Sequence, residues 1–282
     1  MRVDHYSQFL TPLKHYVMQE KTLAFRDCSL YYTISGQGNY LMLIHGFGED
    51  SRIWDGLRNK LSENYKLIIP DLPGSGKSSM LTGKNTGITD YAETLHAIIE
   101  NEQVEQLTMV GHSLGGYITL AFAEKYSELL QAFGLFHSSA YADDEEKKAS
   151  RRKAIQFIEQ NGALAFLKTS IPGMFADPEK SKAHIGRLIQ QAEQANPQVL
   201  IQYYKAMIQR PDRTSVLQTF LRPIMLILGT EDKAVPLEAG LKQSHLPAIS
   251  HIHILNSGHM GMLEQPENAL LNFTHFLSSI YV

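Results

Sequence analysis

The heptapeptide Val110-Gly111-His112-Ser113-Leu114-Gly115-Gly116 constrains this chain more than any other feature. It joins a short apolar run ending at Val110 to a segment, Leu114 to Tyr126, with the pattern of a buried helix. Gly-x-Ser-x-Gly between strand and helix predicts a turn so tight that the serine backbone is strained and its hydroxyl stands clear of the sheet. The flanking glycines relieve crowding where neighbouring backbone passes close.

The rest of the chain repeats that rhythm. Strands are expected at about 18 to 25, 28 to 34, Tyr40 to Ile44, Lys66 to Pro70, Gln106 to Val110, Ala132 to Phe136, Pro223 to Leu228 and Ile249 to Leu255. Several of these runs are almost wholly apolar, as strands buried on both faces must be. Helical patterns separate them, as at Ile88 to Glu100, where Tyr91, Leu95, Ile98 and Ile99 share a face, and a closing helix spans Pro266 to about Ile280. Alternation of this kind predicts an α/β fold with a mainly parallel sheet covered by helices on both faces. With 282 residues and 43% hydrophobic content, one large core is affordable. From 138 to 215 the strand pattern gives way to charged helical stretches, Asp143 to Gln160 and Lys180 to Glu193, punctuated by Pro172, Gly173, Pro178 and Pro197. These residues read as a helical cap inserted between two parts of one core, 1–137 and 216–282.

Composition narrows the function. With 26 Lys and Arg against 29 Asp and Glu, no global field would gather nucleic acid or coat an anionic membrane, so the expected partner is a small molecule. The single cysteine, Cys28, cannot form an internal disulfide and reads as a small buried hydrophobe. No Cys/His cluster has zinc spacing, and neither metal nor cofactor is expected. The first 17 residues lack an uninterrupted apolar stretch, and no run of about 18 apolar residues occurs anywhere. The expected location is therefore cytoplasmic, with the N-terminus a short amphipathic lead-in.

A serine hydroxyl is a poor nucleophile until a base takes its proton and a carboxylate orients that base. Both follow downstream. His259 lies in Asn256-Ser257-Gly258-His259-Met260-Gly261, after the last strand, and so on the same sheet edge as Ser113. The preceding strand runs into Leu228-Gly229-Thr230-Glu231-Asp232, which offers two acids, Glu231 and Asp232.

With the stretches His45-Gly46-Phe47-Gly48 and Asp71-Leu72-Pro73-Gly74-Ser75-Gly76-Lys77-Ser78, these features resemble the α/β-hydrolase superfamily over about residues 20 to 282. The branch resembled holds carboxylesterases, enol-lactonases, cofactor-free haloperoxidases and meta-cleavage product hydrolases. The resemblance implies an α/β-hydrolase fold with an inserted cap. Its acid loop usually reads Gly-x-x-Asp, so Gly229 sets the frame and selects Asp232, with Glu231 one register away. It also implies an oxyanion hole from the backbone N–H groups of Leu114 and Phe47. The implied activity is hydrolysis of a carboxylic ester or lactone through an acyl-enzyme. Thioester or C–C bond hydrolysis would use the same groups, an acyltransferase would pass the acyl group to an alcohol, and a ligand receptor would keep the fold with little turnover. Specificity is expected from the cap, where Met174, Phe175, Tyr203, Tyr204 and Met207 are the candidate pocket residues.

Other signals carry less. Gly74 to Ser78 looks like the end of a phosphate-binding loop, but position 71, where a glycine is required, is Asp. His251 and His253 share a strand face without a third ligand, and His45 and His112 sit within turn motifs. Lys147 to Lys153 reads as a solvated face paired with Asp143 to Glu146.

Overall fold

The computed structural model describes residues 17–83 and 85–281. The expected N-terminal lead-in falls almost entirely outside them. Eight strands form one sheet: β1 (Gln19–Phe25), β2 (Cys28–Ser35), β3 (Asn39–Ile44), β4 (Tyr65–Pro70), β5 (Leu107–His112), β6 (Leu130–Phe136), β7 (Ile224–Gly229) and β8 (Ser250–Leu255). Their order is β1-β2-β4-β3-β5-β6-β7-β8. β2 pairs antiparallel with both β1 and β4, and every pairing from β4 through β8 is parallel. The expected strands are all present within about two residues.

Helices cover both faces. In chain order they are α1 (Asp55–Leu61), α2 (Ile88–Asn101), α3 (Leu114–Lys125), α4 (Glu145–Ser170), α5 (Lys182–Gln191), α6 (Pro197–Gln209), α7 (Thr214–Thr219), α8 (Leu237–Gln243), α9 (Gly261–Glu264) and α10 (Pro266–Ile280). α4 to α7 all fall between β6 and β7. α4 outruns its sequence signal by ten residues: Gly162, at φ +82°, breaks its direction, and the chain resumes helix because Ala163 and Leu167 still bury. No helix among the described residues is long and apolar enough to cross a membrane.

The central strands are the apolar ones, and β5 and β7 are buried at every position. Such strands need cover on both sides. On one side α3 is buried from Leu114 through Ala123. β8, at the sheet edge, alternates, exposing Ile252 and Ile254 while His251 and His253 turn inward, where the His251 ring meets Phe276.

Strand order positions the site. β3 is flanked by β4 on one side and β5 on the other, so the connections leaving β3 and β5 diverge and open a crevice at their carboxyl ends. The register aligns Ile44 with Gly111, so both strands end level. α3 leaves this point pressed against β3, and a Cβ on Gly115 would lie 2.6 Å from the carbonyl oxygen of Ile44 and 2.7 Å from that of His45. Gly115→Ala is therefore expected to lower stability by about 1–3 kcal/mol, since backbone on both sides resists the extra methyl. Gly173→Ala, with nothing within 4 Å of the added carbon, should stay within about 0.5 kcal/mol of the parent. Thermal melts followed by circular dichroism compare the two.

Candidate active site

Five neighbouring parallel strands, β3 and β5 to β8, each deliver one residue of interest at the carboxyl edge: Phe47, Ser113, His137, Asp232 and His259. Ser113 stands between β5 and α3 at φ +51° and ψ −114°, outside the conformations a side chain tolerates easily. The turn is held from several sides. The Ser113 N–H donates to the Phe136 carbonyl at 2.9 Å, and the Ser113 carbonyl accepts from Gly116 N–H at 2.9 Å and from the Ser138 hydroxyl at 2.8 Å. Leu114 is the first residue of α3, so its N–H is one of those a helix leaves without an internal acceptor. The loop after β3 runs alongside: a Cβ on Gly46 would lie 3.2 Å from the Ser113 Cβ, and Phe47 comes next.

Asp232 and His259 are brought together. Asp232 Oδ1 accepts from the N–H groups of Ala234 and Val235, at 2.8 and 2.9 Å, which leaves Oδ2 to face His259 Nδ1 at 2.8 Å. With Nδ1 engaged, Nε2 is the ring nitrogen available to a hydroxyl. Burial alone would push the Asp232 carboxyl up, yet the adjoining His259 and His137 hold it well below the usual carboxylate range. Glu231 is exposed. The His259 N–H donates to the Met174 carbonyl at 2.7 Å, which docks the loop after α4 onto the histidine.

Two features of the surroundings escaped the sequence reading. First, His112 is fully buried, with Nδ1 3.0 Å from Glu49 Oε2 and Nε2 2.9 Å from the His259 carbonyl. The same Glu49 oxygen accepts from Gly46 N–H at 2.7 Å. Burial opposes charge on both, but each overrides it for the other: Glu49 is held below its ordinary range and His112 above. Second, His137 follows β6 with its ring fully buried and Nδ1 3.1 Å from Asp232 Oδ2. The only hint of either was position relative to a strand end, since Glu49 directly follows Gly48 and His137 directly follows the β6 run.

His137, Asp232 and His259 offer ligand atoms within 4.8 Å of one another, close enough to share a metal ion. An ion there would replace the Asp232–His259 hydrogen bond.

The candidate pocket residues divide. Tyr203 is wholly inaccessible, its hydroxyl bonded to the Pro73 carbonyl at 2.9 Å and near Ser75 Oγ at 3.0 Å, so it packs α6 onto the loop after β4 rather than forming an open pocket wall. Phe175, 1% exposed, and Met207 are likewise buried. Met174 and Tyr204 keep partial exposure, and the Tyr204 ring lies 4.3 Å from that of Phe47. The basic run is not wholly solvated either: Arg151 turns inward with Arg210 onto the buried Asp143, which commits that carboxylate away from His259. A cleft of about 440 Å³ adjoins the site, lined by Gly48, Glu49, Asp71 and Val199 among others, but Ser113, Asp232 and His259 do not border it.

A family model described as Alpha/beta hydrolase family matches residues 41–271. In sequence, an uncharacterized protein of Mycobacterium tuberculosis is 32% identical over 126 residues, 44% of this chain and 37% of that protein's length. The chain thus matches little more than a third of that relative. Among solved structures, a thermophilic esterase from Thermogutta terrifontis superposes with a TM-score of 0.85 at 24% identity, covering 94% of this chain and 100% of the other. The enol-lactonase from Burkholderia xenovorans LB400 gives 0.85 at 18% identity, covering 92% and 100%. At such identities the likeness is one of fold.

Proposed function

The chain belongs to the alpha/beta hydrolase family, and on that premise we propose that it is a serine hydrolase cleaving a small-molecule carboxylic ester or lactone through an acyl-enzyme. The observation that carries the reading is a strained serine at φ +51° on the sheet edge that also bears a 2.8 Å Asp232–His259 pair. His259 Nε2 takes the Ser113 proton as the oxygen attacks the carbonyl carbon. Asp232 holds the imidazole tautomer and balances the charge it gains. The backbone N–H groups of Leu114 and Phe47 stabilise the oxyanion. His259 then gives its proton to the leaving alkoxide, and water, activated by the same base, releases the acid. No step calls for a cofactor. The helices between β6 and β7 act as the cap, with Met174 and Tyr204 as the side chains most open to the acyl group.

A fluorophosphonate probe is the direct test. It should label Ser113 alone, because only a hydroxyl with a base and a preformed oxyanion site reacts readily. Labelling should vanish in His259→Ala. An adduct mapped by mass spectrometry to Ser138 or Ser139 overturns the assignment. A panel of esters, lactones and thioesters, with Ser113→Ala as blank, then identifies the acyl donor.

A further inference from the structure

Among the buried polar side chains, His137 is the one with the least evident reason to be there. It takes the left-handed conformation, φ +51°, at the end of β6, where a side chain costs energy. Its ring is inaccessible, and neither ring nitrogen has an aligned hydrogen-bond partner. Such a group is retained against a penalty of about 1–3 kcal/mol, so something else must justify it.

Two glycines shape its socket. A Cβ on Gly229, at the end of β7, would lie 2.8 Å from His137 Cε1, and a Cβ on Gly261, just past His259, would lie 2.5 Å from Nε2. The imidazole is wedged between the acid loop and the base loop, and both clear room for it. Its backbone N–H donates to the Ile227 carbonyl at 2.8 Å, which fixes it to β7. From there Nδ1 reaches the carboxylate oxygen that His259 also uses, at 3.1 Å against 2.8 Å.

We propose that His137 is a positioning residue of the Ser113–His259–Asp232 machinery, a neutral imidazole whose Nδ1–H dipole lies against Asp232 Oδ2, the oxygen His259 uses, and so limits the negative charge His259 sees. The proposal rests on the serine-hydrolase reading above. Burial pushes His137 down to about 4, so near neutrality the ring carries one proton. That proton sits on Nδ1, since a lone pair there would face the carboxylate at 3.1 Å. A donor dipole against Oδ2 acts most strongly while His259 is neutral and the carboxylate charge is uncompensated. It therefore favours neutral His259 and lowers the pH at which the base becomes available.

The other charged or titratable groups facing His259 are untouched by substitution at His137. They are Asp232 itself, the His112–Glu49 pair, with the His112 ring 4.9 Å away, and Glu264 on α9, whose Oε1 accepts from Gly258 and Met260 N–H. The cap turn against His259, Ile171 to Ala176, contains no titratable side chain.

The experiment measures the second-order rate of Ser113 labelling by a fluorophosphonate against pH, together with kcat and KM for an ester hydrolysed by the native chain. His137→Phe keeps the ring and removes both nitrogens. It should move the acid limb of the profile upward by roughly half to one pH unit, with KM nearly unchanged. His137→Asn restores an N–H close to Nδ1 and tolerates positive φ, so it should return the limb toward the native position. His137→Gln, with its amide nearer the Nε2 position, should not. A native limb in His137→Phe with only a lowered Tm reduces His137 to packing and overturns the proposal, as does equal recovery by Gln and Asn. Should His137→Phe fail to fold, the Asn and Gln limbs still decide. Failure of the underlying reading looks different: the native chain itself would not label at Ser113.

Discussion

Asp232→Asn should leave the fold standing and lower kcat by up to about ten-thousand-fold. The size follows from which oxygen does what. Oδ1 is held by the N–H groups of Ala234 and Val235, and an asparagine oxygen can keep both bonds. The amide nitrogen must then occupy the Oδ2 position, 2.8 Å from His259 Nδ1, and present a donor there. The imidazole answers by placing its proton on Nε2, the nitrogen that has to accept from Ser113. The base is lost through the wrong tautomer, and the charge that balanced the imidazolium is lost with it. Glu231→Gln, one residue away but exposed and turned from His259's partner oxygen, should change kcat by less than about twofold, the scale of ordinary surface substitutions. Steady-state kinetics with circular dichroism on both variants decides the matter. Two mild effects would remove the acid role from this loop, and Asp143 could not inherit it, being paired with Arg151 and Arg210.

The strands were legible because a strand buried on both faces must be apolar throughout, and the runs ending at Ile44, Val110, Phe136 and Leu228 meet that condition. Ser113, Asp232 and His259 were legible for a related reason: each sits at a fixed offset from such a run, so locating the strand locates the residue. His137 sits at an equally short offset from β6, but a single histidine after a strand carries no pattern. Its place beside Asp232 depends on β6 and β7 being neighbours, which strand order decides and local sequence does not. Glu49 was hidden in the same way, since its partner His112 is 63 residues away. On α6, Tyr203 and Tyr204 are adjacent and look equivalent in sequence, yet the first is packed on the loop after β4 and the second on Phe47. Helical periodicity gives a face, not what the face meets.

Glu49→Leu is expected to cost about 3–5 kcal/mol of folding stability, the range found when one member of a buried ion pair is removed. The carboxylate accepts from both His112 Nδ1–H and Gly46 N–H. Its loss leaves the Gly46 donor and the His112 Nδ1 without a partner in a site that water scarcely reaches, and burial, no longer opposed by the carboxylate, drives the imidazole to its neutral form. Replacing both members, as in Glu49→Leu with His112→Phe, removes the unpartnered imidazole and should recover a large part of the loss, because a buried pair exchanged for apolar groups is often close to neutral. Activity should not recover in parallel. His112 Nε2–H is also bonded to the His259 carbonyl at 2.9 Å, and Glu49 ties the turn carrying Phe47 to the residue before Ser113. The pair therefore joins the loops that bear His259, Ser113 and Phe47, the base, nucleophile and oxyanion donor of the proposed mechanism. The pH dependence has a definite sign. Glu49 is held below its ordinary value, so its contribution is present above about pH 4.3 and lost as acid is added through the lowered value. His112 is held above its ordinary value, so its contribution is complete below about pH 6.5 and lost as pH rises through the raised value. The stability gap between the native chain and the double variant should accordingly be widest between about pH 4.3 and 6.5 and narrow on either side. Urea unfolding at several pH values measures that gap: a gap that is flat with pH would mean that folding shifts neither titration, and one narrowest in that window that the two groups are neutral in the folded protein.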